Sequence, residues 1–253
     1  MPAATNYSQR FQGTGAGSSY DSGEYGAGSH SAFLWELQRP VLAETVRQLR
    51  AEARRPLSLL DFACGTGRVL SCLEPLVESS EGIDISPQML EVARTRCARS
   101  RLQAGDILTQ PEVLGKNYDV ITLFRFLLNV EPEVRGPILR RLREVIREPD
   151  GLLVANVHGN SRSLRHPAIV WRRWHAHSQP GGMMLNELSP GAARALLRDC
   201  GFRVVRQFGF GILPAAFHRS SLRGLAAVLD RSLAGDNWSR NWSVDLLFIC
   251  RPA

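Results

Sequence analysis

The fold of this chain is decided by the stretch Leu59-Leu60-Asp61-Phe62-Ala63-Cys64-Gly65-Thr66-Gly67-Arg68, read with Gly82-Ile83-Asp84-Ile85-Ser86 downstream. An apolar run ends in an acid, passes through small residues into a helical pattern, and meets a second acid, Asp84, 17 residues after Gly67. This order predicts a strand, a tight loop, a helix and a second strand. Because glycine has no Cβ atom, such a loop lets a ligand approach the main chain closely.

Two kinds of nucleotide-binding site use a loop of this type. The dinucleotide fingerprint requires a third small residue three positions after its second glycine, and Leu70 stands there instead, which weakens an NAD interpretation. The remaining pattern is acid-x-small-x-Gly-x-Gly, closed by an acid at the end of the next strand. It resembles the class I S-adenosylmethionine-dependent methyltransferases over residues 57–153, and more faintly from there to the C-terminus.

The resemblance implies S-adenosyl-L-methionine as cofactor and places its site residue by residue. The matching positions are Tyr20, Asp61, Ala63, Gly65, Gly67, Asp84, Ile85, Met89, Asp106, Ile107 and Phe124. In that family the first loop would hold the methionine portion, and the acid of the second strand would accept both ribose hydroxyls. The third strand would end in an acid that receives the adenine amino group, beside apolar side chains. Phe124 would face the transferable methyl group, and Tyr20 lies in a segment that resembles a lid.

Each matched residue also has an alternative structural role that is compatible with binding. Gly65 and Gly67 are typical of an ordinary strand-to-helix turn, and Asp106 is a common turn former. Ser86 and Pro87 are typical of the cap and the first position of a helix.

Length and composition predict one large α/β domain. The chain has 253 residues, of which 44% are hydrophobic and 22% are charged, as in ordinary globular proteins. Alternating strands and helices predict a Rossmann-like, doubly wound sheet of seven strands with helices on both faces. The sheet is expected to be mostly parallel with one antiparallel edge strand, because the last pair of strands resembles the family's antiparallel pair.

The domain boundaries follow from changes in composition along the chain. Residues 1–30 are rich in Gly and Ser and predict a flexible segment, either a lid or a tail without a closing role. Residues 31–253 would form the methyltransferase domain, with a cap insertion at about 159–188 and a second insertion at about 214–241. No apolar run approaches the roughly 20 residues that cross a bilayer, so we expect a cytoplasmic protein without membrane contact.

The charge and the cysteines argue against several other classes. The formal net charge is +7, but the cations are spread along the chain and interleaved with acids, which disfavours a nucleic-acid partner. Five cysteines without a C-x-x-C pair suggest neither a disulfide framework nor a zinc site, and no metal is expected. A small-molecule acceptor is the expected partner, and the protein is expected to be a monomer or a homodimer.

Candidate residues on the acceptor side are histidines and polar groups near strand ends. His158 is expected at the mouth of the fifth strand, where it would be the general base, or else would hold a neighbouring loop. Arg125 and Asn129 would orient a polar acceptor, or buttress the helix that follows. The cap insertion would contribute Trp174, His175 and His177, the last two being either bases or solvated side chains.

Three functions remain open from the sequence. The first is methyl transfer to an O or N atom of a small molecule such as a sugar, an amino acid or a natural-product intermediate. The second is methylation of nucleic acid or protein, which the absence of an Asn/Asp-Pro-Pro-aromatic motif after the fourth strand disfavours. The third is a protein that binds the cofactor and transfers no methyl group.

Overall fold

The computed structural model describes residues 23, 25, 26, 28–164, 166, 187–218 and 220–253. These ranges are organised by one seven-stranded sheet, whose strands are β1 (Ser58–Phe62), β2 (Ser79–Asp84), β3 (Arg101–Ala104), β4 (Val120–Leu123), β5 (Leu152–His158), β6 (Phe202–Phe210) and β7 (Asp245–Pro252). The strand order is β3-β2-β1-β4-β5-β7-β6. Strands β1 to β5 pair in parallel, and β7 is antiparallel to both of its neighbours. The predicted Rossmann-like fold is confirmed, with β7 and β6 forming the antiparallel pair at one edge.

The helices of the described ranges connect these strands. The α-helices are α1 (His30–Ala53), α2 (Arg68–Leu73), α3 (Pro87–Arg96), α4 (Pro132–Val145), α5 (Pro190–Asp199), α6 (Ala215–His218) and α7 (Arg223–Leu233). Short 3-10 turns follow α2, β3 and α7, at Glu74–Leu76, Pro111–Val113 and Trp238–Trp242. Helices α6 and α7 lie in the predicted second insertion. Most of the predicted cap insertion lies outside the described residues.

Serine caps explain where several helices begin. The Ser86 side chain accepts a hydrogen bond from the Met89 N–H, and Pro87 takes the first helical position of α3, as the sequence predicts. Ser29 and Ser189 cap α1 and α5 in the same way. These caps satisfy N–H groups that have no partner inside their helices.

Two hydrophobic cores cover the two faces of the sheet. Alternate residues of a strand point to opposite faces. Leu60 and Ile121 therefore belong to the core that includes residues of α4 and α5, whereas Leu59 and Val120 belong to the core that includes residues of α1 and α2. Because both faces are buried there, the central strands β1, β4 and β5 are largely apolar, as in a covered parallel sheet, whereas β2 and β3 are more polar.

The strand order places a crevice between β1 and β4. The chain adds β2 and β3 on one side of β1, and then returns to add β4 and β5 on the other side. In doubly wound sheets, ligands bind at this point, beyond the carboxyl ends of the strands. The deciding loop at residues 63–67 follows β1 at this edge.

An ion-pair cluster around Asp119 lies at the amino-terminal ends of β1 and β4, the ends away from the loop at residues 63–67. Its carboxylate, 2% exposed, accepts from the Ser58 N–H (2.8 Å) and pairs with Arg55 Nη1 (2.5 Å) and Arg147 Nε (2.6 Å). Burial alone would raise the pKa of Asp119, but the hydrogen bonds from Ser58, Arg55 and Arg147 outweigh it and lower that pKa. The cluster joins the beginning of β1 and the residue before β4 to the end of α4.

None of the helices in the described ranges has the length and apolar character that a membrane span requires. The same ranges contain no cluster of three or more His, Cys, Asp or Glu side chains arranged to hold a metal ion. All five cysteines are free thiols.

Candidate functional site

The loop between β1 and α2 is built on left-handed backbone. The φ angles are 54° at Ala63, 53° at Gly65 and 75° at Gly67. Glycine adopts this conformation readily, whereas an L-residue such as Ala63 pays about 1 kcal/mol for it. The Cys64 N–H donates to the Ile83 carbonyl (3.0 Å), which ties the loop to β2.

The two glycines of this loop serve different purposes. A Cβ atom on Gly65 would meet nothing within 4 Å, and Gly65 lines the cavity above the sheet. A Cβ atom on Gly67 would lie 2.6 Å from Cys97 Sγ and 3.0 Å from Ala93 Cβ. Gly65 therefore leaves room for a ligand, and Gly67 lets the loop pack against α3.

Asp84, the last residue of β2, fastens the loop. Its Oδ2 accepts from the Gly65 N–H (2.8 Å) and its Oδ1 accepts from the Ser86 N–H (2.9 Å). Burial raises the pKa of Asp84, although hydrogen bonds from Ser86, Gly65 and Ile85 act in the opposite direction. The carboxylate predicted to receive the ribose is thus held in a fixed orientation at the strand end.

Asp61 brings a buried carboxylate to the floor of the cavity. Thr122 Oγ1 donates to Asp61 Oδ1 (2.6 Å), while Asp61 Oδ2 is buried and receives no hydrogen bond from a described side chain. Burial raises the pKa of Asp61 to about 7, against the lowering effect of Thr122. An acceptor atom in this state is suited to a cationic ligand group.

The four residues predicted to contact adenine lie beyond β2 and β3, which pair at Asp84 and Ala104. Met89 and Ile107 are buried, and Ile85 is partly exposed. Asp106 Oδ1 accepts from the Leu108 N–H (3.0 Å), so Asp106 also has the turn role that the sequence allows. These residues do not line the cavity beside β1 and β4.

The cavity itself is bounded by side chains from both halves of the chain. Asp61, Ala63, Gly65, Phe124 and Arg125 line it, as the predicted site requires. Trp35 and Gln38 of α1, Asn156 of β5 and Asp245 of β7 also line it. The Trp35 and Phe124 rings meet edge to face, with centroids 6.3 Å apart.

Tyr25 covers one side of this cavity. The Arg68 guanidinium lies over the Tyr25 ring, 2.8 Å from its centroid, and Arg125 Nη1 donates to Tyr25 Oη (3.1 Å). Cation–π contact of this kind favours Arg over an aromatic face. Tyr20, the predicted lid residue, lies outside the described residues; within the described part of the chain, Tyr25 is the tyrosine that lines the cavity.

Arg125 is fixed by two asparagines. Its φ of 51° is unusual for a residue with a side chain. The Arg125 N–H donates to Asn156 Oδ1 (3.3 Å), and Asn129 Nδ2 donates to the Arg125 carbonyl. Asn129, predicted either to orient the acceptor or to buttress the helix that follows, here supports the main chain of Arg125.

His158 lies at the end of β5, as predicted, but is not among the residues that line the cavity. Its side chain is buried, and its Nδ1 has no hydrogen-bond partner among the described residues. Burial, and secondly the charge of Arg125, holds the pKa of His158 well below its ordinary value. The other predicted acceptor residues, Trp174, His175 and His177, lie outside the described ranges.

A comparison with known families decides the class of protein to which this site belongs. The profile of the family described as "Methyltransferase domain" matches residues 34–207. The chain belongs to this methyltransferase family. The resemblance drawn from the loop and the strand-end acids is therefore confirmed.

Individual relatives of this methyltransferase agree with that assignment. The demethylmenaquinone methyltransferase of Tropheryma whipplei (strain Twist) is 30% identical over 186 residues, which cover 70% of this chain and 74% of that protein. The dTDP-3-amino-3,6-dideoxy-alpha-D-glucopyranose N,N-dimethyltransferase of Streptomyces fradiae is 31% identical over 115 residues, or 44% of each chain. The crystal structure of magnesium protoporphyrin IX methyltransferase from Synechocystis PCC 6803 with bound SAH covers 97% of both chains, with a TM-score of 0.65 and 15% identity. That structure is similar in fold.

The sequence argument misses several residues that line the cavity of the methyltransferase, among them Trp35, Gln38, Asn156 and Asp245. Gln38 has a sequence signal, because it interrupts the apolar stripe of α1 between Leu34 and Leu42 and is nevertheless buried. Asp245 has a weaker signal, as an acid that directly precedes the apolar run of residues 246–250 in β7. Their proximity depends on where α1 and β7 lie in the fold.

Proposed function

We propose that this methyltransferase uses S-adenosyl-L-methionine to methylate an O or N atom of a small molecule. Two features together support the proposal. Asp61 Oδ2 is a buried hydrogen-bond acceptor, and Gly65 leaves open space in the neighbouring loop. The names of the demethylmenaquinone and amino-sugar relatives support a small-molecule acceptor.

The methionine end of the cofactor fits the Asp61 side of the cavity. Its ammonium group would donate to Asp61 Oδ2, and a charge-assisted hydrogen bond of this type is stronger than a neutral one. Ala63, Gly65 and Gly67 would hold the rest of the methionine portion, while Arg68 brings a positive charge suited to the carboxylate.

The nucleoside end fits the ends of β2 and β3. Asp84 would accept the ribose hydroxyls, since each carboxylate oxygen has two lone pairs and accepts one backbone N–H here. Asp106 would receive the adenine amino group, and Ile85, Met89 and Ile107 would supply apolar contacts. These assignments follow the family pattern and remain predictions for this chain.

The cofactor supplies a methyl group that is already electrophilic, so the protein has mainly to position the acceptor. Holding reactants in near-attack geometry contributes about 7 to 11 kcal/mol to such a reaction. Phe124 and Trp35 would form the apolar wall beside the reacting atoms, and Tyr25 would restrict water. We assign Arg125 to binding a polar part of the acceptor and retain His158 as a candidate base.

The remaining parts of the predicted acceptor site are also proposals. Asn129 is assigned to the support of Arg125, and Trp174, His175 and His177 to the cap over the acceptor. The division into an N-terminal segment and one domain, the cytoplasmic location, and the monomeric or homodimeric state stay predictions.

Transfer of tritium from methyl-labelled S-adenosyl-L-methionine tests this function. We expect label in the small-molecule fraction of a metabolite extract, and Asp61→Asn to reduce it by roughly tenfold or more at subsaturating cofactor, as expected for loss of a charge-assisted hydrogen bond. Asp199→Asn, which changes a carboxylate with 65% exposure, is the matched control. Label found in RNA, DNA or protein would contradict the proposed acceptor class, and cofactor binding without any transfer would contradict the proposed activity.

A further inference from the structure

One stretch of the surface carries most of the exposed apolar side chains. Ten large hydrophobic side chains are exposed within the described part of the chain, and seven of them lie between residues 217 and 242. Four of the seven belong to α7 or directly precede it, and we call them the α7 face: Leu222, Leu225, Val228 and Leu229. They are 41% to 59% exposed. An exposed apolar patch of this kind is typical of a surface that meets another molecule.

The α7 face points outward because the other side of the helix is anchored. Ala226 and Asp230 are four positions apart, so they lie on one side of the helix, and both are buried. Asp230 Oδ1 accepts from the Ile212 N–H (2.8 Å), and Asp230 Oδ2 lies 2.7 Å from His218 Nε2. A rotation of α7 that buried the apolar face would pull this carboxylate away from its partners, which is costly for a buried charge. The α7 face therefore needs a cover from outside.

The spacing within the α7 face fits a second helix. Leu222, Leu225 and Leu229 are separated by three and then four residues, which is the spacing of the apolar seam between two packed helices. Val228 directly precedes Leu229 and widens this seam on one side. A helix that packs on the α7 face would therefore meet a continuous row of aliphatic side chains.

The lack of charge on the α7 face favours a second copy of the same chain as the cover. The charged residues of α7 are Arg223, Asp230 and Arg231, and the helical period places all three away from this face. Arg231 is turned toward α1, where its guanidinium lies 5.7 Å from the centroid of the Phe33 ring. In a two-fold contact the same patch is used by both partners, so a charge within it would meet its own kind. A face of leucine and valine avoids this repulsion, whereas an anionic lipid surface or an acidic partner would call for cations there.

The elements that adjoin α7 add further apolar surface. Phe217 is 43% exposed and belongs to α6, which packs against α7. Trp238 is 79% exposed in the turn after α7, and the next residue, Ser239, donates through Oγ to the carbonyl of Leu233 at the end of that helix (3.2 Å). Aromatic side chains contribute about 150 to 250 Å² each when buried. Together with the α7 face they supply surface on the order of the roughly 500 Å² of apolar area in an ordinary dimer face of about 800 Å² per partner.

We propose that the protein forms a two-fold homodimer in which the α7 faces of two chains pack against each other. The inference is independent of the proposed methyl transfer, because it rests on the surface of the second insertion and on none of the residues that line the cavity. The sequence leaves a monomer and a homodimer open. The α7 face selects the homodimer and locates its contact.

Sedimentation velocity of the full chain tests the dimer. At about 10 μM we expect a species of twice the 28.1 kDa of one chain, as for a Kd of about 1 μM or less. Leu225→Glu puts a carboxylate in the middle of the α7 face, where it would meet its own copy, and should raise the Kd roughly 100-fold or more. Leu225→Met keeps an apolar side chain of similar volume and should remain a dimer. Val205→Glu, at an exposed apolar residue of the edge strand β6, is the matched control and should also remain a dimer.

Hydrogen exchange of the wild-type protein locates the contact without any variant. The amides of residues 222–233 should exchange more slowly at a protein concentration above the Kd than below it, because association stabilises the helix that it covers. This result decides the location even if Leu225→Glu does not fold.

Several outcomes would overturn the proposal. A folded Leu225→Glu variant that remains a dimer, a dimer that only Val205→Glu disrupts, or slower exchange confined to another surface would each place the contact elsewhere. A wild-type monomer at about 10 μM would exclude the proposed dimer. If that monomer bound vesicles of phosphatidylglycerol, the α7 face would be assigned to a lipid surface instead.

Discussion

Gly65 and Gly67 share a left-handed backbone, but their surroundings predict different effects of substitution. Gly65→Ala is expected to cost about 1 to 2 kcal/mol in unfolding free energy, because only backbone strain opposes it. It should nevertheless weaken cofactor binding, since its Cβ atom would occupy open space at the cavity.

Gly67→Ala should lower the unfolding free energy by about a further 1 to 3 kcal/mol, because its Cβ atom would also overpack Cys97 and Ala93. Urea denaturation and calorimetry measure the two effects; equal stability losses would contradict this division.

Asp61 predicts a pH dependence of cofactor affinity. Its pKa is about 7 in the protein without ligand, so below pH 7 the side chain holds a proton that an incoming ammonium group must displace. Affinity should therefore rise about fivefold to tenfold from pH 6 to pH 7 and level off above it, as one pKa unit corresponds to a factor of ten. Calorimetry in buffers of different ionisation enthalpy should detect proton release on binding below pH 7. The same slope in Asp61→Asn would assign the effect to another group.

The Asp61 carboxyl also makes the stability of the protein depend on pH, in the direction opposite to that of a carboxylate in an ordinary ion pair. Its folded pKa lies above the unfolded value of 3.8, so between about pH 4 and 7 the unfolded chain is ionised while the folded protein keeps the proton. Stability without cofactor accordingly falls as pH rises through this window. If the cofactor ammonium pairs with the ionised carboxylate as proposed, cofactor binding should offset this loss of stability.

At the scale of elements, the Asp119 cluster ties β1, β4 and α4 together and should contribute measurably to stability. Asp119→Asn is expected to lower the unfolding free energy by about 1 to 3 kcal/mol, typical of hydrogen bonds to a charged group. The larger cost of breaking a fully buried pair is not expected, because Arg55 and Arg147 are about one third exposed and regain water. Urea denaturation of wild type and variant measures the difference.

The difference in unfolding free energy between wild type and Asp119→Asn should shrink at acidic pH. The folded pKa of Asp119 lies below its ordinary value, so the contribution is complete above the unfolded pKa of about 3.9 and is lost as pH falls through the folded pKa. Asp199→Asn, at an exposed carboxylate, is the control. A wild-type advantage that grows on acidification would contradict the assignment.

The sequence predicts the local elements well because their signals are local. The apolar run of β1, the acid that ends β2, the Ser86-Pro87 helix start and the loop glycines each act within a few residues of the chain. Gln38 and Asp245 are 207 positions apart, and they meet only because α1 packs on the sheet and β7 enters it beside β5. No spacing rule relates such residues. For the same reason His158 is predicted at the correct strand end, yet does not line the cavity.

At the scale of the whole molecule, the site draws on α1, β1, β4, β5 and β7, so cofactor binding should stabilise the chain as one unit. At a concentration of 100 Kd a ligand contributes about 2.7 kcal/mol. For a chain of 253 residues this corresponds to a rise in Tm of roughly 5 to 11 °C. Scanning calorimetry should show one transition that shifts as a whole, whereas two transitions of which only one responds would contradict a single domain.

The position of β7 also constrains the order in which the sheet can be completed. β6 precedes β7 in the chain but hydrogen-bonds within the sheet to β7 alone. During synthesis β6 must therefore wait, emerging from the ribosome without a neighbouring strand of the sheet until residues 245–252 arrive and insert between it and β5. The last strand made is the one that brings Asp245 to the cavity, so a nascent chain gains its full binding surface only when it also gains a closed sheet edge.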